Sequence, residues 1–300
     1  MNLRFVEAFY WVVTLKSVTR AAEKLHLTQS AMSSRIATLE QELGTLLLDR
    51  SDKRVRVTVP GMRFYAHAEK LLALQRDIKA EMGGDTQSET LRVGAIESVV
   101  HSWLIDWLRV VRERHPALAL EMTVETTPVL VEQLQRGTLD LVLTVTPASG
   151  NEVRSQALPL LEMVFAGHAE LHRRRSYGIG DLAALELLTF QRGSQPHLAL
   201  LDLLRRAGVE PRRLHSISSI SAMTQLVEDG LGVATLPLAV VQRLSRRMPL
   251  TVLRSDARLP PLPIHVSWRH DPTSVPQRTL LDSVFEQLGV QQRSSKKSIR

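Results

Sequence analysis

Between Ser17 and Leu43 two helical stretches stand only a short turn apart, and each begins with a residue suited to cap it. Ser17 precedes Val18-Thr19-Arg20-Ala21-Ala22-Glu23-Lys24-Leu25, and Thr28 precedes a helical run over 29–42. A hydroxyl at either place can accept from the backbone N–H groups that open a helix. Ahead of them Phe5, Phe9, Val12, Val13 and Leu15 recur at helical spacing, which predicts an amphipathic helix of about three turns that needs a partner. Ala21 and Ala22 let a neighbouring helix come close. Two short helices joined this way, with small residues facing inward from the first, follow the helix-turn-helix plan. His26 stands in the turn, where many such turns place a glycine at positive φ.

On the second of these helices Met32, Ile36, Leu39 and Leu43 form the expected buried stripe. Thr28, Gln29, Ser30, Ser33, Ser34 and Arg35 lie away from it. Gln can pair with adenine through two hydrogen bonds, Arg with guanine, and Ser with base or phosphate. The same pattern fits a plain helix with a solvated face, so the next segment decides. Residues 46–50 and 54–58 flank the polar turn Ser51-Asp52-Lys53 and read as a β-hairpin with Lys53 and Arg54 at its tip. A cationic hairpin directly after a reading helix is a wing, placed to touch phosphates or the minor groove.

From Met1 to about Leu72 the chain resembles the DNA-binding domain of LysR-type transcriptional regulators. The resemblance is carried by Met1-Asn2-Leu3-Arg4, Phe9, the run from Ser17 to Gln29, Ser33, Ile36, Leu39-Glu40, Glu42-Leu43-Gly44, Leu48, Arg50, Thr58 and Gly61. The family usually has Pro where this chain has Ser30 and Arg where it has Ser34; Arg35 points about 100° further round the helix. Thr58-Val59-Pro60 then opens another helix in which Phe64, Ala68, Leu71, Gln75, Ile78 and Met82 are spaced as a heptad seam. The alternative is that this stripe packs on the chain's own body; pairing of two chains is preferred because the family dimerises here. Gly83-Gly84-Asp85-Thr86-Gln87-Ser88 marks a hinge.

Beyond the hinge the pattern becomes β/α: strand 91–96, helix 98–114, strand 118–125, helix 128–136 and strand 139–145, which argues for a parallel sheet. A second set follows, with an apolar run over 160–166, helices near 181–187, 197–207 and 222–229, and a strand over 233–236; 264–268 leads into a final helix, 279–288. This body resembles the family's effector domain, itself similar to periplasmic solute-binding proteins. The expected fold class is therefore α/β: a winged helix-turn-helix over 1–60, a linker (dimerisation) helix and hinge over 61–88, and a two-lobed effector-binding domain over 89–290. Its lobes are expected at about 89–162 with 267–290, and at 163–266, with a disordered basic tail over 291–300.

Ligands in such folds sit where strand C-termini and helix N-termini meet, because unpaired N–H groups and the helix dipole favour an anion or a carbonyl. Ser98 and Thr127 are expected to open the helices after the first two strands, and both match positions where family members contact inducers. Each would also serve as a simple cap. The loop 191–196 is the expected contribution of the second lobe, with Arg192, Ser194 and Gln195 as contacts and Arg192 as a carboxylate partner.

Charge is distributed accordingly. Residues 1–88 hold 13 basic and 10 acidic side chains, residues 89–290 hold 21 of each, and the last ten hold 4 basic and none acidic. A basic end on a neutral body suits a module that meets phosphate joined to one that does not. Without cysteine the chain has neither disulfides nor a thiolate metal site. The start carries Glu7 and lacks a basic leader, and no run approaches a membrane span, so the cytoplasm is the expected compartment and no membrane partner is expected. No metal-ligand spacing, Gly-rich phosphate loop or Gly-x-Ser-x-Gly elbow points to an enzyme, a catalytic residue or a cofactor. The expected function is a regulator that binds double-stranded promoter DNA as a dimer or tetramer and answers to a small effector, anionic or carbonyl-bearing. RNA polymerase is a further expected partner. The alternative is a two-lobed solute-binding or enzyme-like protein without DNA function.

Overall fold

Helix α1, Leu3–Leu15, begins where Asn2 Oδ1 accepts from Arg4 N at 2.9 Å and ends where Lys16 turns left-handed at φ 51. In α2, Val18–Lys24, and α3, Gln29–Leu43, the caps are the expected ones: Ser17 Oγ accepts from Arg20 N and Thr28 Oγ1 from Ala31 N. His26 takes φ 52, the glycine-like conformation its place in the turn requires. The computed structural model describes residues 1–49, 55–81, 90–150, 153–269, 271 and 275–289.

Met32, Ile36 and Leu39 of α3 pack with Phe9, Tyr10 and Val12 of α1 in one buried core. Leu43, expected on the same stripe, is 37% exposed, because the helix stops at Gly44 (φ 65) and the chain turns away. Strands β1, Leu48–Asp49, and β2, Arg56–Val57, pair antiparallel as the root of the wing. Its tip, where Lys53 and Arg54 are expected, lies outside the described residues. Buried Glu40 holds that root, one carboxylate oxygen accepting from Leu47 N at 2.9 Å and Leu48 N at 3.0 Å.

Helix α4, Val59–Glu81, is capped by Thr58, whose hydroxyl accepts from Gly61 N and donates to Leu46 O. Its first half belongs to the same core: Phe64 meets Phe9 with ring centroids 5.4 Å apart, and Tyr65 stacks on Tyr10 at 5.2 Å. Ala68 and Leu72 are buried there. The expected seam is therefore divided. Phe64 and Ala68 face the chain's own α1, Leu72 is buried in place of Leu71, and Leu74 and Ile78 remain exposed further along. Met82 lies outside the described residues.

Among the described residues the body holds two five-stranded sheets. The first, in order β4-β3-β5-β12-β6, contains β3 (Thr90–Ala95), β4 (Ala119–Val124), β5 (Leu141–Thr144), β6 (Val153–Leu161) and β12 (Leu262–Arg269). Between β3 and β4 a continuous helical stretch runs through α5 (Glu97–Val99), a π-helical turn (Val100–Leu104) and α6 (Ile105–Arg114); α7 (Thr127–Arg136) precedes β5, and α12 (Val275–Gln287) follows β12. The second sheet, in order β11-β7-β10-β8-β9, contains β7 (Met163–His168), β8 (Glu186–Thr189), β9 (Arg213–Ser216), β10 (Val233–Pro237) and β11 (Leu250–Val252). Helices α8 (Ile179–Ala183), α9 (Gln195–Arg206), α10 (Ile220–Glu228) and α11 (Leu238–Leu244) connect its strands.

The β/α units pair in parallel as expected, β3 with β4 and β5, and β8 with β9 and β10. The strands that pass between lobes add antiparallel partners: β12 runs against β5 and β6, and β7 against β10 and β11. This corrects two expectations. The second lobe cannot extend to 266, since β12 joins the first sheet from Leu262 onward. Nor is 181–187 a single helix; α8 ends at Ala183, and Leu187 and Leu188 lie buried in strand β8.

Candidate DNA interface and effector cavity

The α3 face expected to read DNA is present as a surface. Thr28, Gln29, Ser30, Ser33 and Ser34 are exposed and Arg35 is half-buried, away from the stripe that fixes the helix to α1. Thr28 Oγ1 and Ser30 Oγ lie 3.0 Å apart, so the cap hydroxyl and the first serine are already engaged with each other. Gln29, Ser33 and Ser34 project from the N-terminal half of a helix of fifteen residues, the part that meets base edges when such a helix lies in a major groove.

The second site is a cavity of about 1020 Å³ between the two sheets. Ser98, Thr127, Arg192, Ser194 and Gln195 all line it. The roles expected of the first two need correction. Neither caps its helix: the N-caps are Ile96 and Thr126, neither with a side-chain bond to its helix. Thr127 Oγ1 instead accepts from Val145 N at 3.3 Å, tying the start of α7 to the end of β5. Ser98 is 4% exposed and sits one residue inside α5. With those caps vacant, the opening N–H groups of α5 and α7 are left to whatever enters the cavity.

In the second lobe Ser194 does cap α9, accepting from His197 N at 3.4 Å. Gln195 Oε1 is buried and has no hydrogen-bond partner among the described residues, an unsatisfied acceptor on a residue that lines the cavity. Arg192 is exposed on the loop. His197, buried behind this wall in the first turn of α9, is held below the usual imidazole range by burial first and by the charge of Arg192 second.

Two acids that the sequence reading passed over, Glu97 and Glu125, also line the cavity. Glu97 reaches across it: Ser219 Oγ donates to one carboxylate oxygen at 3.0 Å and Ile220 N to the other at 2.7 Å, at the N-terminus of α10 in the opposite lobe. His101 Nε2 lies 3.6 Å behind. Burial alone would raise the Glu97 pKa, but His101, the Ile220 amide and the Ser219 hydroxyl together bring it below the usual carboxylate range. A pKa lower in the folded than in the unfolded chain stabilises the fold above the unfolded value, and that contribution is lost as pH falls through the folded one. The wild-type chain should therefore melt above Glu97→Gln at neutral pH, with the two curves converging in acid. Thermal melts across that range check it; a gap unchanged at acid pH would show that the charge is not what joins the lobes.

An exposed polar helix face beside a wing, joined to a two-lobed body around a cavity, defines a ligand-responsive DNA-binding regulator. Residues 3–62 match the model for bacterial regulatory helix-turn-helix proteins of the lysR family, and residues 84–289 match the LysR substrate binding domain. The chain belongs to the LysR family of transcriptional regulators. It is 27% identical over 263 residues to the HTH-type transcriptional regulator DgdR of Burkholderia cepacia, covering 88% of this chain and 85% of that one. To the HTH-type transcriptional regulator BenM of Acinetobacter baylyi it is 27% identical over 244 residues, covering 79% and 80%. A full-length OxyR variant from Pseudomonas aeruginosa shares the fold with a TM-score of 0.61 at 23% identity, over 96% of this chain and 94% of that one. No helix among the described residues is long and apolar enough to cross a membrane.

Proposed function

We propose that this regulator reads promoter DNA through α3 and answers to a small anionic or carbonyl-bearing effector held between its lobes. The observation that carries the reading is the pairing, in one chain, of an exposed Gln and Ser face on α3 with a cavity at which the N-termini of α5 and α7 carry no side-chain cap. In the reading domain, Gln29 makes the base contact of highest specificity, Ser30, Ser33, Ser34 and Thr28 meet base edge or phosphate, and Arg35 contacts phosphate. Lys53 and Arg54 act at the wing. Residues 1–60 form this domain; α4 and the hinge to residue 88 join two copies, with Leu74 and Ile78 as apolar contacts. The rest of the chain to residue 290 forms the effector domain, a cytoplasmic setting follows from the DNA partner, and RNA polymerase is met at the promoter.

In the cavity, Ser98 and the first amides of α5 and α7 receive the effector's anionic or carbonyl group, Thr127 orders the β5 end beside it, and Arg192, Ser194 and Gln195 close over it. A ligand touching both lobes changes the regulator only by binding one arrangement better than another. The reading of α3 is tested with a duplex selected from a randomised pool by the wild-type chain. Gln29→Ala should weaken binding by about 1–3 kcal/mol on that duplex if it makes a two-point base contact. Binding to random duplex should barely change; equal losses on both would assign Gln29 to the phosphates instead.

A further inference from the structure

Two elements of the first lobe span the whole distance from the cavity to the DNA-binding domain. Helix α7 begins at Thr127 and Pro128 in the cavity wall and, at about 1.5 Å per residue, ends some 15 Å away at Gly137. Strand β5, which Asp140 immediately precedes, runs back towards Val145 and Thr146, just past its end in the same wall. Their cavity ends are bonded together through Thr127 Oγ1 and Val145 N.

Their far ends meet α1 and α2. A Cβ placed on Gly137 would stand 3.0 Å from Leu15 Cδ2, so the left-handed turn after α7 is the seat of the last residue of α1. Lys24, the last residue of α2, pairs with Asp140 and lies 3.8 Å from Asp271, its ammonium 5.0 Å over the Trp11 ring. Asp140 also accepts from Arg92 N at 3.0 Å, and Arg92 Nη2 lies 3.2 Å from His26 Nε2 in the helix-turn-helix turn. Arg269, 6% exposed, donates to Leu134 O at 3.3 Å and Gln135 O at 3.0 Å at the end of α7, and its other nitrogen reaches Thr14 O of α1 at 3.5 Å.

The Lys24 and Asp140 side chains are only 13% and 9% exposed. Separating such a pair without a replacement leaves a poorly solvated charge on each side, so the docked arrangement is held or released as a unit. We propose that this face is the link between cavity and reading domain: a change at the start of α7 and β5 is carried by two rigid elements to Gly137 and Asp140, and there alters the hold on Leu15 and Lys24. The inference rests on the reading of the cavity as the effector site.

A double-mutant cycle on the full-length chain tests it without any effector, using the selected duplex as probe. Thr127→Val removes the acceptor for Val145 N at the cavity end. Lys24→Met removes the charge at the docking end and keeps the alkyl stem over Trp11. Coupling of the usual allosteric size predicts that Thr127→Val changes duplex affinity about fivefold or more in the wild-type background and leaves it unchanged in the Lys24→Met background. The same factor in both backgrounds, or no change in the wild-type background, overturns the proposal. If Thr127→Val does not fold, amide exchange in Lys24→Met alone decides: exchange at Thr127, Val129 and Leu130 must rise, and unaltered exchange there overturns the proposal. Calorimetric titration of small carboxylates into the wild-type chain tests the cavity reading separately, so the two failures are distinguishable.

Discussion

Gly61→Ala is expected to abolish sequence-specific DNA binding while leaving the two-lobed body folded. A Cβ at this position would stand 2.1 Å from Leu47 O and 2.8 Å from Val57 Cγ1. The carbonyl has little freedom to yield: it accepts from Thr58 N at 3.0 Å, and the amide of the same residue is held by Glu40. Alanine would have to push α4 away from the wing root, straining the Thr58 cap and the packing of Phe64 on Phe9. Forced backbone displacement in a packed core puts the expected cost at about 3 kcal/mol or more, a large share of a domain's net stability. Binding to the selected duplex, with melting followed by calorimetry, reads the effect; wild-type affinity with an unshifted melt would mean that the wing root is looser than its hydrogen bonds require.

Gly232→Ala should do the reverse, removing the cavity's response while DNA binding persists. Its Cβ would lie 2.2 Å from Glu186 O and 2.9 Å from Glu186 C, both backbone atoms of the neighbouring strand. The next residues pair directly, Val233 with Leu187 and Ala234 with Leu188. Relief must come from parting β10 and β8, and β8 leads straight into Phe190 and Arg192 of the cavity wall. A cost again of about 3 kcal/mol is expected. The calorimetric signal of small carboxylates should vanish in this variant, with affinity for the selected duplex retained. Normal carboxylate binding would remove the second lobe from the account of the site.

These two glycines illustrate what the sequence makes legible. Gly61 could be singled out beforehand by its place in the family pattern, but its reason, a carbonyl of Leu47 pressed against it, involves a residue fourteen positions earlier in the chain. The helices of the reading domain were readable because their signals are local: a hydroxyl at Ser17 or Thr28, an apolar period, a turn residue able to take positive φ. Strand β8 was not, since Leu187-Leu188 is a short apolar run whose period fits helix and strand alike, and only pairing with β9 and β10 settles it. Leu71 and Leu72 present a similar ambiguity, resolved when α1 selects Leu72.

In the cavity, the residue types were legible and their local geometry was not. Ser98 and Thr127 lie in the wall, yet helices that start one residue earlier than expected, at Glu97 and at Thr127, turn apparent caps into residues of the first turn. Glu97 gives no local sign of its task, since its partners Ser219 and Ile220 are more than a hundred residues away. The same holds for Lys24, which reads as an ordinary surface lysine of α2 until Asp140 is placed beside it.

The central claim, that this chain is a sequence-reading regulator, is tested most directly by selecting duplexes from a randomised pool with the full-length protein at physiological salt and footprinting the winners. A recovered site with two-fold symmetry, protected against cleavage and bound with an affinity that falls steeply as salt rises, is the predicted result. Equal binding to every duplex, with no enriched sequence and no footprint, would contradict it.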